Sequence, residues 1–295
     1  MVMNFIRGFC MALADSVPGV SGGTIAFLLG FYDKFIGSLN SLIGGTKEER
    51  KEGIIFLIKI GVGWAVGFCM AALFITAVFE SHIYQISSLF LGFIIFAIPI
   101  IVIEEKESVV GKYINAVWII LGAALVAAIT YFSSNTLLSD GVNLAAGKFS
   151  AGVGVLLFVS GMVAISAMVL PGISGSTILM IFGLYVPVIT AIKDILHLKL
   201  EYVPAVFIFG IGVITGALLV VKLIKYVLEH YRSQTVYFII GMMLGSLYSI
   251  IQGPTTLDTP KPAMSFADFS IIFFIIGGVI ILGLQKLKSI SEKQQ

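Results

Sequence analysis

Residues 18–24 read Pro-Gly-Val-Ser-Gly-Gly-Thr, and residues 171–177 read Pro-Gly-Ile-Ser-Gly-Ser-Thr. Both copies sit inside apolar sequence, and both are followed by an apolar run closing on Gly-x-Tyr, at Gly30 and Gly183. Proline removes a backbone donor and glycine weakens a helix, so Pro18, Gly19, Pro171 and Gly172 should break the chain. A helix should restart at about Ser21 and Ser174. The first N–H groups of each restart then lack intrahelical partners, and the helix dipole places partial positive charge there. Gly22, Gly23 and Gly175 let a ligand approach the backbone, while the hydroxyls of Ser21, Thr24, Ser174, Ser176 and Thr177 add donors. This chemistry suits an anion, above all a phosphate. Any one hydroxyl could instead cap its own helix; two such ends facing each other favour the ligand for the set.

Charges inside the apolar sequence are few. Arg7 and Asp15 lie eight residues apart, about two turns along one face of a helix. Asp15 has no acidic counterpart in the second copy, where Met168 stands. An intramembrane carboxylate is a functional candidate, as a proton carrier or as the partner of a cation such as Arg7; an interfacial salt bridge is the plainer alternative. Lys59 and Lys222 near span ends can snorkel. Glu80 and Glu229 recur at short loops, with a modest claim to line the path. His82, His197 and His230 show no ligand spacing, and no metalloprotease, nucleophile-elbow or Walker pattern occurs, so neither an enzyme nor a metal or other cofactor is expected. Cys10 and Cys69 read as packing residues.

The surrounding elements must hold these groups in a bilayer. Hydrophobic residues make up 58% of the chain and charged residues 12%, with a mean hydropathy of +1.07. Long runs nearly free of charge read as membrane helices. The net charge of +2 gives no support for nucleic acid. The apolar segment 8–11 is too short for a signal peptide, so the N-terminus reads as retained. The fold expected is an all-α polytopic membrane protein made of two repeats. The first, 1–132, holds a hairpin 1–43 and spans 54–79, 86–103 and 113–132. A connecting loop 133–148 on the outer side follows. The second, 149–285, holds a hairpin 149–192 and spans 203–228, 235–251 and 269–284. Within each hairpin the segments 24–43 and 174–192 read as single returning helices, and 47–52 and 104–112 read as loops. Gly61, Gly63, Gly67 and Gly92 match Gly210, Gly212, Gly216 and Gly241 at an offset of 149, the first three of each set being assigned to helix packing. Three spans per half is odd, so the second half should enter from the opposite side. With cytoplasmic termini, fourteen of the 18 Lys and Arg lie inside, against Lys148, Lys193, Lys199 and Lys261 outside. Such an inverted-topology repeat, with re-entrant broken helices approaching the midplane from both faces, is a plan of secondary transporters.

Arg7-Gly8, then 14–24 as Ala-Asp-Ser-Val-Pro-Gly-Val-Ser-Gly-Gly-Thr, then 170–177 as Leu-Pro-Gly-Ile-Ser-Gly-Ser-Thr, and 241–247 as Gly-Met-Met-Leu-Gly-Ser-Leu resemble the bacterial and archaeal PopT family of polyprenyl-phosphate transporters. The resemblance spans essentially the whole chain. It implies the return of undecaprenyl phosphate, the lipid carrier of envelope polymers, from the outer to the cytoplasmic leaflet, on a fold of re-entrant helices in inverted repeats. The family's motif positions fall on Asp15, Pro18, Gly19, Ser21, Gly22, Gly23, Thr24, Pro171, Gly172, Ser174, Gly175 and Ser176, with Arg7 as a head-group contact. Such a carrier shelters the head group while the tail stays in lipid; the bias for outer-to-inner transfer is expected either from consumption of the lipid inside or from an H+ or Na+ gradient, with Asp15 as the candidate for coupling. The competing reading is a transporter or channel for a small soluble anion, such as phosphate or a carboxylate; a scaffold would lack a central polar cavity.

Overall fold

The computed structural model describes residues 2–15, 21–70, 82–135, 144–145, 150–196, 198–256 and 260–293. All regular structure among them is helical. The main helices are α1 (Val2–Asp15), α2 (Gly22–Leu28), α3 (Tyr32–Gly44), α4 (Lys47–Met70), α5 (Ile83–Glu104) and α6 (Val117–Asn135), followed by α7 (Ala151–Val169), α8 (Gly175–Ile181), α9 (Tyr185–Leu196), α10 (Val203–His230), α11 (Arg232–Gln252) and α12 (Ile271–Lys293). Five helical stretches, at Ile83–Glu104, Tyr113–Phe132, Ala151–Val169, Leu200–His230 and Arg232–Thr255, are long and apolar enough to cross a bilayer. A sixth arises if α8 and α9, bent by 113°, count as one span. The fold is that of an all-α polytopic membrane protein. Pro18, Gly19, residues 71–79 of the span expected at 54–79, Glu80, Lys148, most of the connecting loop 133–148 and His197 lie outside the described residues.

The single helices expected at 24–43 and 174–192 are each two helices. Gly30 and Gly183 adopt φ values of 63° and 66°, which a right-handed helix cannot continue and which glycine reaches without a Cβ penalty. The ends close alike: Phe31 N–H donates to Ala26 O at 3.0 Å and Gly30 N–H to Phe27 O at 3.0 Å, while Leu184 N–H donates to Leu179 O and Gly183 N–H to Met180 O, each at 2.9 Å. This is the Schellman arrangement, and the Gly-x-Tyr that marked the repeat in the sequence is its signature. A second correction concerns 47–52, which is helical. Thr46 and Glu49 form a capping box, Glu49 N–H donating to Thr46 Oγ1 at 3.2 Å and Thr46 N–H to Glu49 Oε2 at 2.8 Å, so α4 starts at Lys47. Within 104–112 the segment Lys106–Val109 forms one helical turn.

Glycines set which helices touch. A Cβ on Gly63 would lie 2.0 Å from Phe5 O and one on Gly67 2.8 Å from Phe9 O; Gly212 and Gly216 meet Phe158 O at 2.2 Å and Met162 O at 2.3 Å. Helix α1 therefore lies against and parallel to α4, and α7 likewise against α10, through residues matched at offsets of 153 and 149. The remaining long helices exchange partners across the halves: Gly92 of α5 abuts Phe274 O of α12 at 2.1 Å, and Gly241 of α11 abuts Ile119 O of α6 at 2.2 Å. Such backbone contact excludes any larger residue. Gly61 and Gly210, also expected to serve packing, have no atom within 4 Å of a Cβ position. The centre is occupied by α11, whose Met242 and Met243 are fully buried.

One end of the bundle is fastened by charge. Arg232, opening α11, donates to both oxygens of Glu105 at 2.5 and 3.0 Å and to Asp33 Oδ2 at 2.8 Å. The start of α3, the end of α5 and the start of α11 thus meet there. Alongside, Asn115 Nδ2 donates to Ser233 Oγ at 2.8 Å and Tyr237 O–H to Val109 O at 2.9 Å.

Candidate functional site

Proline 171 has no N–H, so the chain around it presents a carbonyl at Leu170 and an amide at Gly172 that must find partners inside the protein. The first motif supplies both. Gly172 N–H donates to Thr24 Oγ1 at 2.7 Å, Thr24 Oγ1 lies 3.1 Å from Ser21 Oγ, and Ser21 O–H donates to Leu170 O at 3.1 Å. The two hydroxyls relay one direction of bonding, from Gly172 through Thr24 and Ser21 to Leu170. Ser21 Oγ also accepts from Thr24 N–H at 3.2 Å, so its one donor and two acceptor positions are all used. Both side chains are fully buried. Gly23 allows this approach, because a Cβ there would lie 2.5 Å from Val169 O. Gly172 itself has φ 90° and sits against Met242 O.

Asp15 completes the first motif. Its Oδ1 accepts from Gly22 N–H at 2.7 Å and its Oδ2 from Trp64 Nε1–H at 2.9 Å. The carboxylate thus occupies the position an anionic ligand was expected to take at the start of α2. The amides of Gly22 and Thr24 are filled by Asp15 and Ser21, so this end does not present the open set of donors expected from the sequence. Arg7 lies elsewhere: its guanidinium stands over the Phe31 ring at 4.9 Å and donates to Asn4 Oδ1 at 3.0 Å. Among the described residues no ion pair joins it to Asp15.

The second motif differs. Ser174 is the N-cap residue of α8, yet its side chain caps no amide of that helix. It pairs instead with Ser176, Oγ to Oγ at 2.7 Å. Ser174 is buried, whereas Gly175, Ser176 and Thr177 are partly exposed. The structure therefore brings Ser21, Gly23 and Thr24 onto 169–172, gathers Ser174 with Ser176, and holds Arg7 over Phe31 beside the break between α2 and α3.

Two contributors were not singled out from the sequence. Trp64 holds Asp15, and its signal was a tryptophan in an apolar run, whose indole N–H needs a partner when buried. Tyr32 is 2% exposed and donates to Val169 O at 3.2 Å, tying the second break of the first hairpin to the end of α7. Tyr32→Phe should cost about 1 kcal/mol of stability, the worth of one such bond, read as a lowered unfolding temperature of the purified protein.

The sequence matches the family described as undecaprenyl phosphate translocase-like over residues 11–267. A polyprenyl-phosphate transporter of Staphylococcus aureus (strain NCTC 8325 / PS 47) is 32% identical over 295 residues, covering 98% of each chain. A polyprenyl-phosphate transporter of Vibrio cholerae serotype O1 (strain ATCC 39315 / El Tor Inaba N16961) is 32% identical over 267 residues, covering 86% of this chain and 79% of the other. No solved structure matches the chain. The match over residues 11–267 and near-complete coverage by these relatives lead to one assignment: the chain belongs to the undecaprenyl phosphate translocase-like family, whose members are non-enzymatic membrane transporters.

Proposed function

We propose that this chain moves undecaprenyl phosphate, or a related polyprenyl phosphate, from the outer to the cytoplasmic leaflet of the cell membrane, returning the carrier for cell-wall synthesis. The observation that carries this reading is the hydroxyl relay between the motifs. Its donors, the Gly172 amide and the Thr24 and Ser21 hydroxyls, are of the kind a phosphate oxygen accepts from. Parting of the halves frees them, and the head group takes the place of the protein acceptors. Gly22 and Gly23 on one side, and Ser174, Gly175, Ser176 and Thr177 on the other, line the route, with Arg7 as a further head-group contact. Stripping a phosphate of water in hydrocarbon is prohibitive; exchanging water for these donors removes most of that penalty, while the polyprenyl tail stays in lipid.

Residues 1–132 and 149–285 act as inverted repeats with both termini cytoplasmic. The distribution of Lys and Arg supports this. So does the cleft shared by Glu49, near the start of α4, and Lys225, near the end of α10, since these matched helices then run in opposite senses. Transfer is driven by H+ or Na+, with Asp15 as the coupling group.

Reconstitution into liposomes loaded with a labelled polyprenyl phosphate tests the reading. Protein-dependent disappearance of label from one leaflet is expected. Uptake of free phosphate or a carboxylate without lipid movement would replace it with a soluble-anion carrier.

A further inference from the structure

We propose that a cleft between α1, α3, α4 and α10 is a second phosphomonoester site, its charge supplied by Lys34, Lys59 and Lys225. The cleft has a volume of about 560 Å³ and is lined by those lysines together with Asn4, Asn40 and Phe56, among others. It deepens the transport reading above and rests on it, as a station for the head group on the cytoplasmic side.

Comparison of the two halves is the main argument. At the repeat offsets of 153 and 149, Asn4 corresponds to Leu157, Ser38 to Ala191, Phe56 to Ala205 and Lys59 to Ile208. In the second half these positions close up: Leu157, Ala191 and Ala205 are buried in one apolar cluster, with Ile208 packed against it. The same place in the scaffold is therefore filled with hydrocarbon in one half and left open and cationic in the other. Packing alone is satisfied by the apolar solution, so the polar one needs a different cause.

The charges point to a ligand of opposite sign. Lys59 is half-buried on α4, beyond the charged first turns and within the apolar part of the helix. A lysine near a span end can snorkel, and this one lines the polar cleft. Lys34 is held over the Phe56 ring at 5.1 Å, a cation–π contact that aims its ammonium at the cleft. Among the described residues neither Lys34 nor Lys59 forms an ion pair, while Lys225 lies 3.7 Å from Glu229. Glu49 is engaged in the capping box with Thr46 and also faces Lys225, while Glu52 is exposed at the rim. Two unpaired ammonium groups and a third weakly paired one match the double charge of a phosphomonoester better than the single charge of a diester. Asn4, on the cleft wall, accepts from Arg7, which links the cleft along α1 to the helix that carries Asp15.

Calorimetry on the purified full chain in detergent, with geranyl phosphate and inorganic phosphate as separate probes, tests the proposal. Lys59→Ile, which installs the residue type found at the matched position, should weaken geranyl phosphate binding roughly tenfold, equivalent to 1.4 kcal/mol. Lys59→Arg should restore it, and Lys222→Gln, outside the cleft, should leave it unchanged. Unaltered binding in Lys59→Ile, or no recovery in Lys59→Arg, would overturn the site. Lys59-dependent binding of inorganic phosphate alone would keep the site and remove the lipid from it. Lipid transport in liposomes without binding of either probe would leave the transport reading standing and sink this one.

Discussion

Asp15→Asn should abolish the acceleration of polyprenyl-phosphate transport by an ion gradient, lowering the driven rate at least roughly tenfold, which corresponds to about 1.4 kcal/mol on the barrier. The carboxylate sits on the Gly22 amide at 2.7 Å, in the place a phosphate oxygen would take, and two anions cannot share that donor without a bound cation or proton. In the coupling proposed above, uptake of H+ or Na+ at Asp15 would relieve the conflict and admit the head group, and its loss would restore the carboxylate and expel it. Asparagine keeps an acceptor for Gly22 and nearly the same volume but removes the charge and turns an NH2 toward the Trp64 indole N–H, so a loss of about 1 kcal/mol of stability should accompany it while the protein still folds. The measurement is leaflet exchange in liposomes with and without an imposed H+ or Na+ gradient, beside a thermal melt. Equal stimulation of wild type and variant would remove Asp15 from the coupling role. Equal loss of both stability and transport would reduce it to a structural group held by Gly22 and Trp64.

The largest effect on folding is expected from Gly172→Ala. At φ 90° an alanine is strained, by about 1–3 kcal/mol. Its Cβ would also fall 2.7 Å from Met242 O, on the fully buried centre of α11. Any retreat of the loop breaks the bond from Gly172 N–H to Thr24 and leaves a buried donor unpaired, adding about 1–3 kcal/mol. The yield of folded, monodisperse protein should collapse, or its unfolding temperature fall by many degrees. Gly61→Ala is the matched control, because nothing lies within 4 Å of its Cβ position; it should be neutral. A Gly172→Ala variant that melts like wild type would show that the junction of the motifs is not held as described.

The breaks at the two motifs were legible because proline and glycine act locally, whatever surrounds them. The close approaches of Gly63 and Gly67, and of their partners, were legible from glycines repeated inside apolar helices, although the same reasoning also named Gly61 and Gly210, which meet no neighbour. Gly30 and Gly183 stood in plain view as a repeated Gly-x-Tyr, but the apolar pattern continues through them, and hydropathy does not register a change of φ. The partner exchange, α5 with α12 and α6 with α11, is a tertiary choice with no local sign. At the site, the sequence named the hydroxyls of Ser21 and Thr24 without saying where they point. Their partners, Leu170 and Gly172, lie nearly 150 residues away. Asp15 stood out as a lone charge, yet nothing near it in sequence identified Trp64 rather than Arg7 as its neighbour.

The three bonds from Arg232 to Glu105 and Asp33 have a consequence for the transport cycle proposed above. At the repeat offsets, Ile83 matches Arg232 and Val186 matches Asp33, so the second set of positions carries hydrocarbon where the first carries a guanidinium and a carboxylate. Were the two ends to open in turn, the first would have to separate charges, a step that ionic strength eases, and the second only apolar side chains. Under that proposal, raised salt should favour opening at the Arg232 end over the other.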